Sequence, residues 1–318
     1  MSKNNSKKVI VLLGSTSSGK TAQAVKLAHI FNGEIVSADS RQVYSGMDIG
    51  TGKDLKEFSF KGDGGINVSI PYHLIDIVDP MEVFDVVEWT KRAKNSIDNI
   101  LSKGRVPIVT GGTGLYLQAL VDNYDFSEAK PDLDKRSELE DLSNEALLSM
   151  IKEISYDVFD QLDENDRGNK RRLIRYIELI ENEKDFALKK SVRKNNQYEY
   201  LLLGLNYPRE EINKRIRERL IHRIEKEGMI DEVKKLHNDG VSWKRFEELG
   251  MEYRNVSKFL QNKMTYEEMI EKTFIAIRQF AKRQTTWFRR WERQGAKIYW
   301  ENDLEKSKKL IENFLKKK

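Results

Sequence analysis

The first third of the chain contains short apolar runs that end at a glycine or a polar cluster, a pattern typical of buried strands in a parallel sheet. The clearest run spans residues 9–13, and apolar residues at helical spacing follow it from Thr21 through Ala24, Val25 and Leu27. Further strands are predicted at the start of residues 33–44 and over residues 72–80, 105–110, 198–205 and 297–300. Strands that alternate with helical segments predict an α/β fold with a parallel sheet flanked by helices.

Helical periodicity dominates the rest of the chain. A crossover helix is predicted over residues 83–101, and loops are predicted at residues 48–53 and 62–65. From about residue 122 the strand pattern stops, and short charged helices are predicted at residues 133–151, 158–162 and 171–180. Long helices are predicted from Pro208 to residue 226 and over residues 229–238, 244–249, 253–260 and 266–292. We therefore predict a catalytic core of residues 1–121 and 199–318, with a helical C-terminal part, and a helical insertion domain at residues 122–198.

A phosphate-binding loop lies between the first predicted strand and the first predicted helix. Its residues match the pattern G-x-x-x-x-G-K-[ST]: Gly14, Ser15, Thr16, Ser17, Ser18, Gly19, Lys20 and Thr21. The glycines allow backbone N–H groups to wrap a phosphate, and the helix N-terminus adds positive potential. Lys20 is expected to reach the outer phosphate, and the Thr21 hydroxyl is a candidate ligand for Mg²⁺. The motif leaves open which diphosphate or triphosphate the loop holds.

Polar residues follow two other predicted strands at the point where each strand ends. Asp39 follows the strand after the first helix, and Thr113 follows the strand at residues 105–110 through Gly111 and Gly112. Because the carboxyl ends of parallel strands meet at one edge of a sheet, we expect both side chains to lie near the phosphate loop. No acidic residue ends the strand at residues 105–110, so the carboxylate that usually helps to hold Mg²⁺ in phosphate-loop ATPases is missing there.

Charge and cysteine content narrow the possible chemistry. The 318 residues include 56 Lys and Arg against 51 Asp and Glu, a net charge of +5 that does not by itself demand a nucleic-acid partner. A chain without cysteine has no disulfide, thiolate metal site or cysteine nucleophile, and four scattered histidines argue against a zinc site. Any metal is therefore expected to be Mg²⁺ that arrives with phosphate. No apolar run approaches a membrane span, so we expect a cytoplasmic protein without a membrane partner.

The last long helix combines basic and aromatic residues. Arg278, Lys282 and Arg289 fall on one side of it, and Phe280, Trp287 and Trp291 are interleaved with the arginines. Such a surface can grip a phosphate backbone and stack on unpaired bases. Core aromatics beside a solvated basic face produce the same pattern, and the spacing alone does not separate the two interpretations.

Beyond the phosphate loop, the order of several motifs along the chain matches a known family. These motifs are Asp39-Ser40-Arg41-Gln42-Val43-Tyr44, Asp48-Ile49-Gly50-Thr51, His73-Leu74-Ile75-Asp76, Gly111-Gly112-Thr113-Gly114-Leu115-Tyr116, Arg171-Arg172-Leu173-Ile174-Arg175, Gly204-Leu205, Arg215-Ile216-Arg217-Glu218-Arg219 and Ala281-Lys282-Arg283-Gln284-Thr285-Thr286-Trp287-Phe288. In this order the chain resembles, over nearly its whole length, the bacterial tRNA dimethylallyltransferases, also called tRNA isopentenyltransferases. The first and the last of these motifs are the specific ones.

This resemblance implies a P-loop NTPase-like fold and the transfer of a dimethylallyl group from dimethylallyl diphosphate to tRNA. The acceptor would be the N6 amine of adenosine 37, just 3′ of the anticodon, in tRNAs that read codons beginning with U. The phosphate loop, together with Arg215 and Arg219, would hold the diphosphate, with Mg²⁺ on Thr21. Asp39 and Thr113 would be catalytic. The anticodon stem-loop would contact Asp39, Ser40, Arg41, Gln42, Thr113, Arg136, Arg171, Arg172, Arg175, Lys282 and Arg283.

The chemistry of these residue types fits the implied reaction. Displacement at an allylic carbon expels pyrophosphate, whose growing charge Lys20, Mg²⁺ on Thr21 and backbone N–H groups would stabilise. The adenine amine is a poor nucleophile until a base accepts its proton, a role suited to Asp39. Thr113 would bind the leaving group or orient the base. Since the adenine must leave the loop stack to reach a buried carbon, we expect the enzyme to bind it extruded.

Three alternatives stay open at this point. The first third of the chain permits a phosphate-loop kinase of a nucleoside or small metabolite, with the insertion as its lid. An adenylate prenyltransferase would act on free adenine nucleotides. The long basic C-terminal helices argue against this alternative, because they favour a polynucleotide acceptor. A non-enzymatic RNA-binding module would leave Asp39 and Thr113 without a role. We expect a monomer, because no apolar repeat indicates a helical dimer seam.

Overall fold

The structure, a computed structural model, describes residues 7–61, 67–124, 132–182 and 197–317. It divides into two compact units, of which the first combines Met1–Asn123 with Asn195–Lys318 and the second is Tyr124–Lys194. The second unit falls within the helical insertion that we predict at residues 122–198. The loop predicted at residues 62–65 lies outside the described residues.

Strands form the centre of the first unit. They are β1 (Lys7–Gly14), β2 (Gly33–Ser37), β3 (Ser59–Lys61), β4 (Asn67–Ser69), β5 (Tyr72–His73), β6 (Val106–Gly111), β7 (Tyr198–Leu205) and β8 (Ile298–Trp300). A six-stranded sheet has the order β5-β2-β6-β1-β7-β8, and all its neighbouring strands are parallel. β3 and β4 form a separate antiparallel pair. The predicted α/β fold with a parallel sheet is confirmed.

Helices cover this sheet and make up the second unit. Those of the first unit are α1 (Lys20–Ile30), α2 (Val86–Ser102), α3 (Gly114–Val121), α9 (Arg209–His222), α10 (Met229–Asn238), α11 (Trp243–Leu249), α12 (Met251–Leu260), α13 (Tyr266–Arg293) and α14 (Leu304–Lys316). Those of the second unit are α4 (Leu133–Glu140), α5 (Asn144–Ile154), α6 (Tyr156–Gln161), α7 (Glu164–Arg167) and α8 (Lys170–Asn182). Side chains fix where helices begin: at α13, Thr265 and Glu268 form a reciprocal capping box.

Strand β1 supplies the core on both faces of the sheet. Val9, Val11 and Leu13 belong to one hydrophobic cluster, which also contains Trp89 of α2 and Phe288 of α13. Ile10 and Leu12 belong to a second cluster, shared with residues of α1 and α14. Because successive strand residues point to opposite faces, burial of both sets makes β1 a central strand, as its uninterrupted apolar run predicts.

The structure differs from the prediction in two places. The strand expected over residues 72–80 is only the two-residue β5, because Leu74 (φ 63°) and Asp76 (φ 55°) adopt left-handed backbone conformations that cannot continue a strand. Val78 then returns beside Tyr44 through an isolated parallel bridge. Helix α14, where no element is predicted, buries Ile311 and Phe314 in the second cluster.

The second unit has a hydrophobic core of its own. Leu147, Ile151, Val158, Leu173 and Ile177 are buried together, from α5, α6 and α8. Across the part of the chain that the structure describes, no helix combines the length and the apolarity needed to cross a membrane.

Candidate active site

The phosphate loop joins β1 to α1 at the carboxyl edge of the sheet. Ser17 (φ 60°) and Gly19 (φ 80°) both take the left-handed conformation, which curls the backbone around the loop before α1 begins at Lys20. The side-chain hydroxyls of Ser17 and Ser18 are buried and have no hydrogen-bond partner among the described residues. Buried hydroxyls without partners are costly, so this loop has donors ready for an anion.

An open cavity of about 560 Å³ lies over this loop. Its walls come from the ends of β2 and β6, the loop that follows β2, and the helices α9, α12 and α13. The lining side chains that matter for the chemistry are Thr16, Ser17, Lys20, Thr21, Asp39, Ser40, Arg41, Gln42, Arg219, Arg223, Glu252, Arg283 and Gln284. The phosphate loop and Asp39 therefore share one cavity.

Lys20 lies at the floor of the cavity. Its Nζ donates a hydrogen bond of 3.2 Å to the backbone carbonyl of Ser15. Burial lowers the pKa of Lys20 to about 8; the Asp39 carboxylate opposes this shift, and the Arg219 guanidinium adds to it. Negative charge nearby would stabilise the charged form of Lys20, and a bound diphosphate would supply that charge.

Arg219 extends from α9 to the start of the phosphate loop. Its Nη2 donates a hydrogen bond of 2.7 Å to the Thr16 hydroxyl. Burial, followed by the neighbouring Arg223 guanidinium, lowers the pKa of Arg219 to about 10. Arg215, which we predicted to join Arg219 in diphosphate binding, does not line the cavity, since it pairs with Glu211 one turn away and stacks on Tyr207. The two arginines lie on the same face of α9, one turn apart along its axis, and only Arg219 is placed within reach of the loop.

Acidic side chains balance these cations. Burial raises the pKa of Glu252, against the opposing effect of Arg223 and Arg219. Burial, with the nearby Asp54 carboxylate, likewise raises the pKa of Glu57. Arg223 is itself buried and donates to Asp54 at 3.0 Å. The cavity thus holds interleaved positive and negative groups rather than a purely basic surface.

The side chains of Asp39 and Thr113 both accept hydrogen bonds from the backbone of the turn at residues 40–42. The Asp39 Oδ1 atom accepts hydrogen bonds from the backbone N–H groups of Arg41 (2.8 Å) and Gln42 (3.4 Å). The Thr113 hydroxyl accepts one from the backbone N–H of Ser40 (3.1 Å), and the Thr113 N–H donates to Ala38. Oδ2 of Asp39 accepts no hydrogen bond from the described residues, so this oxygen is available to a substrate proton.

Three supporting residues were missed by the sequence analysis. Gln284 is buried; its Oε1 accepts from the Thr16 N–H at 2.7 Å, and its Nε2 donates to the Gly112 carbonyl at 2.9 Å. Glu232 accepts hydrogen bonds from the backbone N–H groups at positions 48, 49 and 50. Lys53 is fully buried and pairs with Asp48 and Asp76. Gln284 lies in a quoted motif, but nothing in its spacing indicates the loop that it contacts.

Comparison with known proteins identifies the family of this chain. The model of a family described as IPP transferase matches residues 42–291, and that of a family described as isopentenyl transferase matches residues 7–62. The chain belongs to the IPP transferase family. The tRNA dimethylallyltransferase 1 of Syntrophus aciditrophicus is 47% identical over 92% of this chain and 93% of its own. The tRNA dimethylallyltransferase 2 of Treponema denticola is 41% identical over 92% of this chain and 94% of its own.

Solved structures of the IPP transferase family agree with this assignment. A full-length tRNA isopentenylpyrophosphate transferase from Bacillus halodurans has a TM-score of 0.67 and 34% identity, over 97% of this chain and 95% of its own. A eukaryotic dimethylallyltransferase, described as acting on tRNA, has a TM-score of 0.69 and 27% identity, over 89% of this chain and 70% of its own. The resemblance inferred from the motif order is confirmed.

The tRNA contacts expected from the family fall into two groups. In the first unit, Ser40, Arg41, Gln42 and Arg283 line the cavity, and Lys282 is exposed on α13. Gln42 also has a structural role, because its side chain donates to the Gly52 carbonyl (2.9 Å) and accepts from the Ser37 hydroxyl (3.0 Å). These contacts hold the loop that follows β2 against the end of that strand.

In the second unit, three of the four predicted arginines have acidic partners. Arg136 binds the buried Glu178 through two hydrogen bonds of 2.7 and 2.8 Å, and Arg175 binds the same carboxylate at 3.1 Å. Arg172 pairs with Asp166 at 2.6 Å. Arg171 is exposed at the start of α8. Their roles in tRNA binding stay predictions, and the geometry gives Arg136 and Arg175 a structural role within this unit.

His73, from one of the family motifs, and Trp291, from the last long helix, have structural partners. His73 is hydrogen bonded to the buried Glu34 carboxylate at 2.7 Å, and Arg105 binds the same group at 2.9 Å. Trp291, interleaved with the arginines of α13, is fully buried and donates to Asp122 at 3.1 Å, which makes it a core residue. Trp287 is half-buried under the Arg290 guanidinium, 4.3 Å from the ring centre.

Proposed function

We propose that this protein transfers a dimethylallyl group from dimethylallyl diphosphate to the N6 amine of adenosine 37 of tRNA. The observation that carries the proposal is the shared cavity, in which the phosphate loop with Lys20 and the Asp39 carboxylate line the same space. A donor diphosphate on the loop would thus present its five-carbon group to an acceptor beside Asp39. The names of the relatives support tRNA as the acceptor.

The diphosphate end of the site is built for an anion. Lys20, Arg219 and the Ser17 hydroxyl line the cavity, and the Ser17 hydroxyl has no partner among the described residues. Mg²⁺ fits here, because the Thr21 hydroxyl lines the cavity one residue after Lys20, and Mg²⁺ prefers oxygen ligands that include phosphate oxygens. A bound Mg²⁺ would offset charge on the leaving diphosphate. In the described parts of the chain no three His, Asp or Glu side chains form a metal site.

The acceptor end requires removal of a proton. The reaction forms a bond between N6 of adenosine and C1 of the dimethylallyl group, breaks the bond between C1 and the bridging oxygen, and releases diphosphate. The proton of the amine passes to Asp39, whose Oδ1 is fixed by two backbone N–H groups while Oδ2 faces no described donor. Thr113 holds this turn in place through Ser40.

We further propose that the enzyme acts as a cytoplasmic monomer on the anticodon stem-loop of tRNAs that read codons beginning with U. Exposed Arg283 and Lys282 on α13 are suited to phosphate contacts near the cavity, and exposed Arg171 is suited to them in the second unit. The adenine would be bound extruded, since its amine must reach the Asp39 carboxylate inside the cavity.

A competition between acceptors tests this function. Radiolabelled dimethylallyl diphosphate is supplied with Mg²⁺ to an unmodified anticodon stem-loop RNA and to adenosine monophosphate in the same reaction. We expect the label to enter the RNA and not the mononucleotide. Preferred labelling of the mononucleotide would identify an adenylate prenyltransferase, and RNA binding without labelling of either acceptor would overturn the catalytic proposal.

A further inference from the structure

The start of the phosphate loop is occupied by protein groups. The Thr16 N–H donates a hydrogen bond of 2.7 Å to the Gln284 Oε1 atom, and the Thr16 hydroxyl accepts one of 2.7 Å from Arg219. The later part of the loop differs, since the Ser17 and Ser18 hydroxyls have no partner among the described residues. The Ser17 hydroxyl, which lines the cavity, is therefore a free donor, whereas the backbone N–H of Thr16 is already used.

Gln284 is held tightly in this place. It is only 5% exposed, and its Nε2 donates to the Gly112 carbonyl at 2.9 Å. A side chain at position 112 would collide with the Gln284 amide, which explains why glycine stands there. Because both polar ends of the amide are bonded and the side chain is enclosed, a ligand cannot displace it without leaving buried groups unpaired.

The position of Gln284 bears on the number of phosphates that the loop can hold. A polyphosphate on such a loop runs from the N-terminus of the following helix toward the start of the loop, with the lysine reaching the outer phosphate. Two phosphoryl groups beside α1, Lys20 and Ser17 would use the free donors. A third would extend toward Thr16, whose N–H already donates to the Gln284 amide oxygen.

We propose that Gln284 is a specificity-determining residue that closes the start of the phosphate loop, so that the loop accepts a diphosphate and rejects a triphosphate. This inference rests on the proposed function, for which it names the residue that selects the leaving group of the donor. It also gives a physical reason why a loop with the sequence of an ATP-binding loop would not turn over ATP.

Calorimetric titration with inorganic pyrophosphate and inorganic tripolyphosphate, both with Mg²⁺, tests the inference. We expect the wild-type protein to bind pyrophosphate at least about tenfold more tightly, the scale of one buried polar group left unpaired. In Gln284→Ala this preference should shrink about tenfold, through a gain in affinity for tripolyphosphate. Equal binding of the two anions by the wild-type protein would overturn the inference, even if the variant does not fold.

Control variants separate selection from general damage. Gln261→Ala removes a glutamine from the end of α12, outside the cavity, and should leave the preference unchanged. An equal loss of affinity for both anions in Gln284→Ala would show that the residue only supports the loop, and would also overturn the inference. Neither titration uses a prenyl donor or tRNA, so a preference for pyrophosphate in a protein without transferase activity would contradict the proposed function alone.

Discussion

The hydroxyl of Thr113 accepts a hydrogen bond of 3.1 Å from the backbone N–H of Ser40. This contact joins the turn after β6 to the turn after β2, 73 residues apart in sequence, and it fixes the backbone directly after Asp39. The hydroxyl therefore accepts a hydrogen bond within the protein before any substrate is present. We therefore propose that Thr113 acts on the reaction through the position of Asp39.

Replacement of Thr113 by valine tests this positioning role. Thr113→Val keeps the shape of the side chain but removes the acceptor, so the Ser40 N–H is left unpaired and the Asp39 turn loosens. We expect kcat for transfer to fall about tenfold with little change in KM for dimethylallyl diphosphate. Thr113→Ser keeps the hydroxyl and should restore most of the activity. A valine variant with the kcat of the wild-type protein would contradict the role.

Asp39→Asn isolates the proton-accepting function of Asp39. The asparagine amide oxygen can still accept from the Arg41 and Gln42 N–H groups, so the turn is kept while the basic oxygen is lost. We expect unchanged binding of dimethylallyl diphosphate and a loss of turnover of about 10²-fold or more, the scale of a missing general base. Single-turnover transfer to an anticodon stem-loop measures the rate. Turnover at the level of the wild-type protein would exclude Asp39 as the base.

Binding of the donor should depend on pH through Lys20. Because the pKa of this ammonium lies at about 8, raising the pH through that value removes its positive charge from the free protein. The charged form binds a diphosphate better, so affinity for dimethylallyl diphosphate should fall as the pH rises through about 8. Lys20→Met should bind weakly and without this pH dependence. A wild-type affinity that is the same in calorimetric titrations below and above this pH would contradict the prediction.

The buried Glu34 should stabilise the fold without taking part in the reaction. Burial raises its pKa, but the hydrogen bond from His73 and the Lys103 charge outweigh burial, so the pKa lies below the usual value of 4.5. A carboxyl group with a lowered pKa stabilises the native state at pH values above its usual pKa of 4.5. This stabilisation is lost as the pH falls through the lower pKa of the native state. We expect Glu34→Gln to reduce the free energy of unfolding by about 1–3 kcal/mol at neutral pH.

Urea denaturation at several pH values measures this effect. The difference between Glu34→Gln and the wild-type protein should shrink as the pH falls below the usual carboxyl pKa. His73→Ala should be destabilised as well, yet should keep nearly normal turnover while folded, because His73 faces Glu34 rather than the cavity. A large loss of kcat in folded His73→Ala would show that the histidine has a chemical role.

The arginines of the second unit should separate into two classes. Arg171 is exposed, and Arg171→Ala is expected to weaken tRNA binding and lower the salt dependence of binding by about one charge. Arg136→Ala leaves the buried Glu178 without its bidentate partner, so its main effect should be on stability. Filter binding at several salt concentrations and thermal unfolding distinguish the two. Equal effects of both variants on tRNA affinity would contradict the separation.

Local patterns were sufficient to predict the framework of the site. The apolar run of β1, the glycines and lysine of the loop, and the meeting of strand ends at one edge of a parallel sheet together predicted that Asp39 lies near Lys20, and both line one cavity. Thr113, which we predicted beside them, contacts the Ser40 N–H and does not line this cavity. The bounds of β7 were also predicted, because residues 201–205 form a continuous buried run without a polar side chain.

What the sequence analysis missed depends on contacts between distant segments. Gln284 is 268 residues from Thr16, and its contact requires the register of α13 over the sheet, which no local pattern determines. Arg215 and Arg219 belong to one motif, yet only Arg219 reaches the loop, because their side chains leave α9 toward different neighbours. The end of β5 is set by left-handed conformations at Leu74 and Asp76, which non-glycine residues rarely adopt.

The most direct test of the account is the mass and position of the product nucleoside. The purified protein and Mg²⁺ are incubated with unmodified tRNA carrying adenosine 3′ of the anticodon, with either dimethylallyl diphosphate or ATP, and the digested nucleosides are weighed by mass spectrometry. We predict that this adenosine alone gains one five-carbon unit with the prenyl donor and that nothing changes with ATP. Unmodified tRNA, with ATP consumed in the presence of small hydroxylated metabolites, would contradict the account and identify a kinase.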